Sequence, residues 1–159
     1  MLSYCREIYG TGIEALLIAI ASAFTAQCAK FLLHLITKRE FDLTKFTTTG
    51  GMPSSHSAGV VALAIMIGVI SGFTSVDFAL ATGFALVVMY DASGVRRAAG
   101  KQAACLNKII QDFYKHDVAK FGGRLKELLG HTPLQVVMGA LYGVAFALGI
   151  HYWLTSVCQ

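Results

Sequence analysis

Four apolar stretches of near-bilayer length, separated by polar segments that hold most of the cationic residues, constrain this chain more than any other feature. A hydrocarbon core about 30 Å thick takes roughly 20 helical residues to cross. Residues 13–36, 57–72, 76–90 and 134–155 approach or reach that length. The second and third are short and are joined by Gly72-Phe73-Thr74-Ser75, a turn composition that predicts two antiparallel helices rather than one long one. Of 159 residues, 55% are hydrophobic and only 14% are charged, more apolar than a soluble domain of this size requires. The expected fold class is all-α, a polytopic membrane helix bundle with about four spans, formed as a single domain over residues 1–159. Gly139, Gly143 and Ala147 recur at helical spacing, which predicts a stripe where neighbouring backbones approach closely.

Within residues 96–129, Leu106, Ile109, Ile110 and Phe113 fall three and four apart among polar positions. That spacing predicts an amphipathic helix beside the membrane, interrupted at Gly122-Gly123. Lys38, Arg39 and Lys45 follow the first span, and eight Lys or Arg residues lie from Arg96 to Lys126, whereas the loop holding Asp77 has no cation. The positive-inside rule then puts both basic loops in the cytoplasm and both termini outside. A bacterial inner membrane, or an organelle membrane, is the expected location. Cations placed this way report topology, so the bilayer is the expected partner and nucleic acid is not. The first apolar stretch is too long for a cleavable leader and follows Arg6 and Glu7, so it is expected to stay in the mature chain. Cys5, Cys28, Cys105 and Cys158 are widely separated with no CxxC pair, which predicts packing or incidental thiols rather than a zinc site or a disulfide framework.

This topology brings four span ends to one membrane face: Lys30 with Lys38 and Arg39; the segment GGMPSSHS from Gly50 to Ser57; Asp91 with Arg96 and Arg97; and Gly130-His131-Thr132-Pro133. Gly50 and Gly51 allow a sharp turn, Pro53 suits the first turn of a helix, and Ser54 and Ser55 offer hydroxyls where helical N–H groups are unpaired. Such a helix start favours an oxyanion, although either serine also serves as a simple helix cap. His56, just behind, is placed to donate a proton to a leaving oxygen. Taken alone, His131 reads equally as a cap or a satisfied polar group.

The stretches TGGMPSSHSA, MYDASGVRRAAGKQA and LKELLGHTPLQVVMGALYG resemble the divergent bacterial and plant branch of the type-2 phosphatidic acid phosphatases. These proteins are related to acid phosphatases and vanadium haloperoxidases. The resemblance covers about Leu16 to Leu148. It implies a membrane phosphatase acting on a lipid phosphate or diphosphate through a phosphohistidine, with no metal or other cofactor. His131 would be the nucleophile and His56 the general acid, with Lys30, Gly51, Ser54 and Ser55 around the phosphate.

The chain departs from the parent motifs K-x6-R-P, P-S-G-H and S-R-x5-H-x3-D. Ser55 replaces the glycine, and Thr37 stands where the first-motif arginine belongs, with Lys38 and Arg39 beside it. Leu125 replaces the third-motif arginine next to Lys126, and Gln135 takes the place of the aspartate that orients the nucleophile. Asp91 is the favoured replacement carboxylate, because an ionisable group at a span end is costly and usually has a partner. A structural ion pair with Arg96 or Arg97 is the competing reading, and Glu127 is a second candidate. Arg96 and Arg97 are the expected phosphate-binding guanidinium groups, with Lys101 behind them. Gln135 also motivates an alternative, a non-catalytic lipid-phosphate binder or transport component. A vanadate-dependent oxidase would share the anion pocket, but the membrane spans count against it.

Overall fold

The computed structural model describes residues 7–38, 51–114, 125, 127 and 130–158. They form α1 (Gly12–Lys38), α2 (Ser55–Ser71), α3 (Val76–Ser93), α4 (Val95–Tyr114) and α5 (Pro133–Cys158), with no strand among the described residues. The fold is an all-α membrane bundle. α1, the run from Val76 to Phe113, and α5 are long and apolar enough to cross a bilayer, while α2 is a shorter apolar helix. At 1.5 Å per residue, α2 is roughly 25 Å long. Helices occupy the four stretches read as spans, with ends shifted by at most about three residues. The expected break at Gly122-Gly123 lies outside the described residues.

α2 is the centre of the bundle and packs against α1, α3 and α5. Small residues make this possible. A Cβ at Gly139 would collide with the backbone of Ser54, and one at Gly143 with the carbonyl of Ala58. Ala147 continues the stripe and is fully buried beside Ala62 and Met66. On the opposite side of α2, Gly59 meets Ala19 and Ala23 of α1, and Ser22 donates to the Ala58 carbonyl at 3.2 Å. The interior is thus built from Ala, Gly and Ser, while Leu16, Ile20, Phe24, Leu80, Phe84 and Leu141 face outward. That distribution suits a lipid solvent, where helices associate by close packing rather than by hiding apolar surface.

Gly72, at φ +92°, ends α2, and Ser75 caps α3 by accepting from the Phe78 N–H at 3.1 Å. These residues form the expected helical hairpin. α3 and α4 follow one another through Gly94, whose N–H donates to the Tyr90 carbonyl at 2.8 Å. α4 is amphipathic, as its spacing predicts. Val95, Leu106, Ile109 and Phe113 are exposed along it.

A polar clasp absent from the sequence reading closes the end of the bundle that carries the termini. Glu14, 1% exposed, accepts from the Gly10 N–H at 2.6 Å and bonds His151 Nδ1 at 2.8 Å. Tyr9 stacks on the His151 ring, with centroids 5.4 Å apart, and shares a 2.8 Å hydrogen bond with Thr155. Three side-chain contacts, Glu14–His151, Tyr9–His151 and Tyr9–Thr155, therefore tie the start of α1 and the residues just before it to the end of α5. Nearby, Cys158 is buried and disulfide-bonded, which corrects the expectation of incidental thiols there. Spacing along the chain does not reveal a pairing that depends on where a helix ends in space. Cys28 and Cys105 are free.

Gly143→Val should destabilise the protein by roughly 1–3 kcal/mol or more through overpacking. Gly149→Ala, where an added Cβ meets nothing within 4 Å, should be neutral or better. Thermal midpoints in detergent check the pair, and equal effects at the two positions would contradict the packing account.

Candidate functional site

The site forms where the starts of α2 and α5 meet the end of α3. Two backbone bonds fix this junction: the Ser54 N–H donates to the Gln135 carbonyl at 3.2 Å, and the His131 N–H donates to the Ala92 carbonyl at 2.9 Å. Gly130 sits at φ +87°, and a Cβ there would stand 2.5 Å from the Arg97 nitrogen. Only glycine lets the turn before α5 rest on the start of α4. Gly51, at φ +100°, is similarly constrained, since a Cβ would come within 2.8 Å of Lys30 Cδ. The buried Lys30, 7% exposed, is thereby held against the GGMPSSHS turn. The four span ends meet as the topology predicts.

His131 is 3% exposed, and its Nε2 has no hydrogen-bond partner. A buried polar atom without a partner is costly and marks a place where a ligand completes the bonding. Burial lowers the His131 pKa to about 4, helped by the positive charge of Lys30, by His56 and by Arg96. The imidazole is therefore neutral near pH 7, the form with a free lone pair. His131 stands between two spaces. On one side it shares a narrow crevice with His56, Asp91 and Arg96, with room for about one water. On the other it borders a chamber of about 420 Å³ lined by Gly51, Arg97, Lys101, Glu127, Thr132 and Gln135 among others.

Several expected site residues have other structural work. Ser54 is fully buried and caps α2, accepting from the Ser57 N–H at 3.4 Å and bonding the Ser57 hydroxyl at 3.0 Å. The cap reading therefore describes Ser54, and its hydroxyl faces neither space. Ser55, the first residue of α2, is half-buried. Pro53 lies before the cap, preceded by a cis Met52–Pro53 peptide, and not in the first helical turn as the sequence suggested.

Gln135 neither replaces the missing aspartate nor touches the free nitrogen of His131. Its Oε1 accepts from the Thr132 N–H at 3.0 Å, while the Gln135 N–H donates to Thr132 Oγ1 at 3.3 Å. This reciprocal pair is a capping box. The local signal for it is Thr132-Pro133-Leu134-Gln135, a threonine three residues before a glutamine at the start of an apolar run.

Asp91 is bound by Arg96, with Nε to Oδ2 at 2.6 Å, so the competing ion-pair reading describes its direct contact. It still lines the crevice with both histidines. Arg96 and Arg97 diverge, the first into the crevice and the second into the chamber with Lys101 and Glu127. Glu127 is held by Asn107, whose Nδ2 donates to Oε1 at 2.8 Å. Lys38 is the last residue of α1, roughly 12 Å along the helix from Lys30. Arg39 and Lys126 lie outside the described residues.

The His131 imidazole signal, followed by NMR in detergent micelles, should titrate with a midpoint near 4. A midpoint at the ordinary 6.5 would show that the ring is neither buried nor surrounded by cations.

Comparison with known proteins adds the lineage. A family model described as the Divergent PAP2 family matches residues 12–146. The chain is also 40% identical, over 148 residues, to the uncharacterized membrane protein YuiD of Bacillus subtilis (strain 168), covering 87% of this chain and 94% of that protein. No solved structure matches.

Proposed function

The chain belongs to the Divergent PAP2 family, and from that membership together with the site we propose a membrane phosphatase that hydrolyses a lipid phosphate or diphosphate through a phosphohistidine. The observation that carries this reading is the buried, neutral His131 with its unpaired Nε2 at the wall of a cationic chamber. A solvated or capping histidine would not need that environment.

In the proposed first step, the Nε2 lone pair attacks the terminal phosphorus and its bond to the leaving oxygen breaks, that oxygen belonging to the lipid alcohol of a monophosphate or to the lipid monophosphate of a diphosphate. The protonated form of His56, which burial and the charges of Arg96 and Lys30 disfavour against the pull of Asp91, gives its proton to that oxygen, and the lipid alcohol or lipid monophosphate departs. Water then attacks the phosphohistidine, loses a proton to His56, and releases phosphate and neutral His131. Lys30 and Arg96 are the cations that act on His131, so they are the natural stabilisers of the equatorial oxygens. For Arg96 this requires exchanging Asp91 for phosphate, which makes Asp91 a positioning residue in this scheme. The roles of Ser54 and Gln135 are confined to capping.

The whole chain serves as one domain, and the site faces the cytoplasm, an orientation supported by the cations around Arg96 to Lys108. The lipid tail stays among the outward apolar side chains while the headgroup reaches His131. The alternative of a non-catalytic binder was motivated by Gln135. Gln135 Oε1 serves the helix cap, so in the catalytic reading the orienting carboxylate comes from elsewhere, and Asp91 lines the crevice with both histidines.

Purified protein should release phosphate from at least one member of a panel of lipid phosphates and diphosphates. His131→Ala should abolish release, and His56→Ala should lower it by roughly 10²–10⁴-fold. Tight binding with no release from any substrate would establish the binder instead. For orientation, single cysteines at Thr74 and Lys108, in a background without the free Cys28 and Cys105, should label from opposite sides of the membrane. Labelling from the same side would overturn the topology.

A further inference from the structure

We propose that Arg97 and Lys101 form a second anion subsite in the chamber beside His131, so that the preferred headgroup carries two adjacent phosphates rather than one. This rests on the reading of His131 as phosphoryl acceptor, and it concerns which headgroup that acceptor serves.

The cations of the site fall into two sets. Lys30 is packed against Gly51 and, with Arg96, acts on His131. Arg97 and Lys101 lie four residues apart on α4, one helical turn, so both side chains issue from one face. Both are exposed and line the chamber with His131, and neither makes an ion pair among the described residues. A single phosphate on His131 would engage the first set and leave the second without an anion.

The space agrees with the charge. A chamber of about 420 Å³ is several times what one phosphate group occupies, whereas the crevice on the His56 side admits only about one water. Any further headgroup volume must therefore lie on the Arg97 side of His131. Glu127 is the acidic member of that wall, and its Oε1 is held by Asn107, which also bonds the Leu125 backbone at both ends of its amide. One restrained carboxylate against two cations leaves the subsite positive. Thr132 Oγ1 and Gln135 Oε1 accept within their capping box, so what these two side chains still present to the wall is donors, which suit phosphate oxygens. A guanidinium can take phosphate oxygens in a bidentate manner, with the lysine as a neighbouring point charge.

The test compares a monophosphate and a diphosphate on the same isoprenyl chain, in neutral detergent, with wild type, Arg97→Ala and Lys101→Ala. Wild type should favour the diphosphate in kcat/KM, and each substitution should cut the diphosphate-to-monophosphate ratio by roughly 10–100-fold, the loss of one charge-assisted contact. A ratio unchanged in both variants, with thermal midpoints preserved, would overturn the subsite. Equal losses on both substrates would likewise overturn it, assigning the pair to general attraction or to the scissile phosphate. A second arm does not depend on turnover. Binding of an isoprenyl methylenediphosphonate should weaken relative to the matching phosphonate in the variants. If wild type releases no phosphate but this binding ratio falls, the phosphatase reading fails while the subsite stands; an unchanged binding ratio removes the subsite.

Discussion

The seating of α2 against the glycine face of α5 is the contact on which the rest of this structure depends. In a bilayer, two apolar helices gain little by hiding from solvent, so their separation and register are set by how closely the backbones can approach. Gly139 and Gly143 allow Ser54 and Ala58 to lie directly on α5. That register puts the first turn of α2 level with the first turn of α5, where the Ser54 N–H reaches the Gln135 carbonyl. A shift by one helical turn would carry one helix start roughly 5 Å past the other. His56 and His131 would then no longer share a crevice.

Electrostatics builds on that frame. Lys30 is buried within a membrane helix and is tolerable there only with compensating groups. The glycine at position 51 lets the turn close over its stem, and its charge helps keep His131 neutral. Asp91 and Arg96 neutralise one another across the crevice, while Arg97 and Lys101 face the chamber. Cations around an uncharged nucleophile suit phosphoryl transfer, in which charge spread over three equatorial oxygens must be met by preorganised positive groups. At the opposite end, the Glu14–His151 clasp fixes the far ends of the same two outer helices.

What was legible in the sequence was mostly periodic or compositional. The apolar runs gave the helices, the Gly72–Ser75 turn gave the hairpin, and alternating topology brought Lys30, His56, Asp91 and His131 to one face. The glycine stripe was readable because small residues at helical spacing have a direct meaning in membranes. Contacts between distant residues were not readable. Glu14 and His151 are 137 positions apart, and their pairing depends on how α1 and α5 end. Asp91 and Arg96 were each singled out, but choosing between an orienting carboxylate and an ion pair needed side-chain positions. The capping box at Thr132 and Gln135 has a local signal, but position 135 is also where the parent motif carries its aspartate, and spacing alone does not separate a cap from an orienting partner.

The central claim is that His131 accepts the phosphoryl group before water does. The stereochemical course at phosphorus tests it most directly, using a lipid phosphorothioate made chiral with two oxygen isotopes and hydrolysed in water that carries the third. Two successive in-line displacements, first by His131 and then by the acceptor, predict net retention of configuration. Net inversion would mean a single direct displacement and would contradict the account.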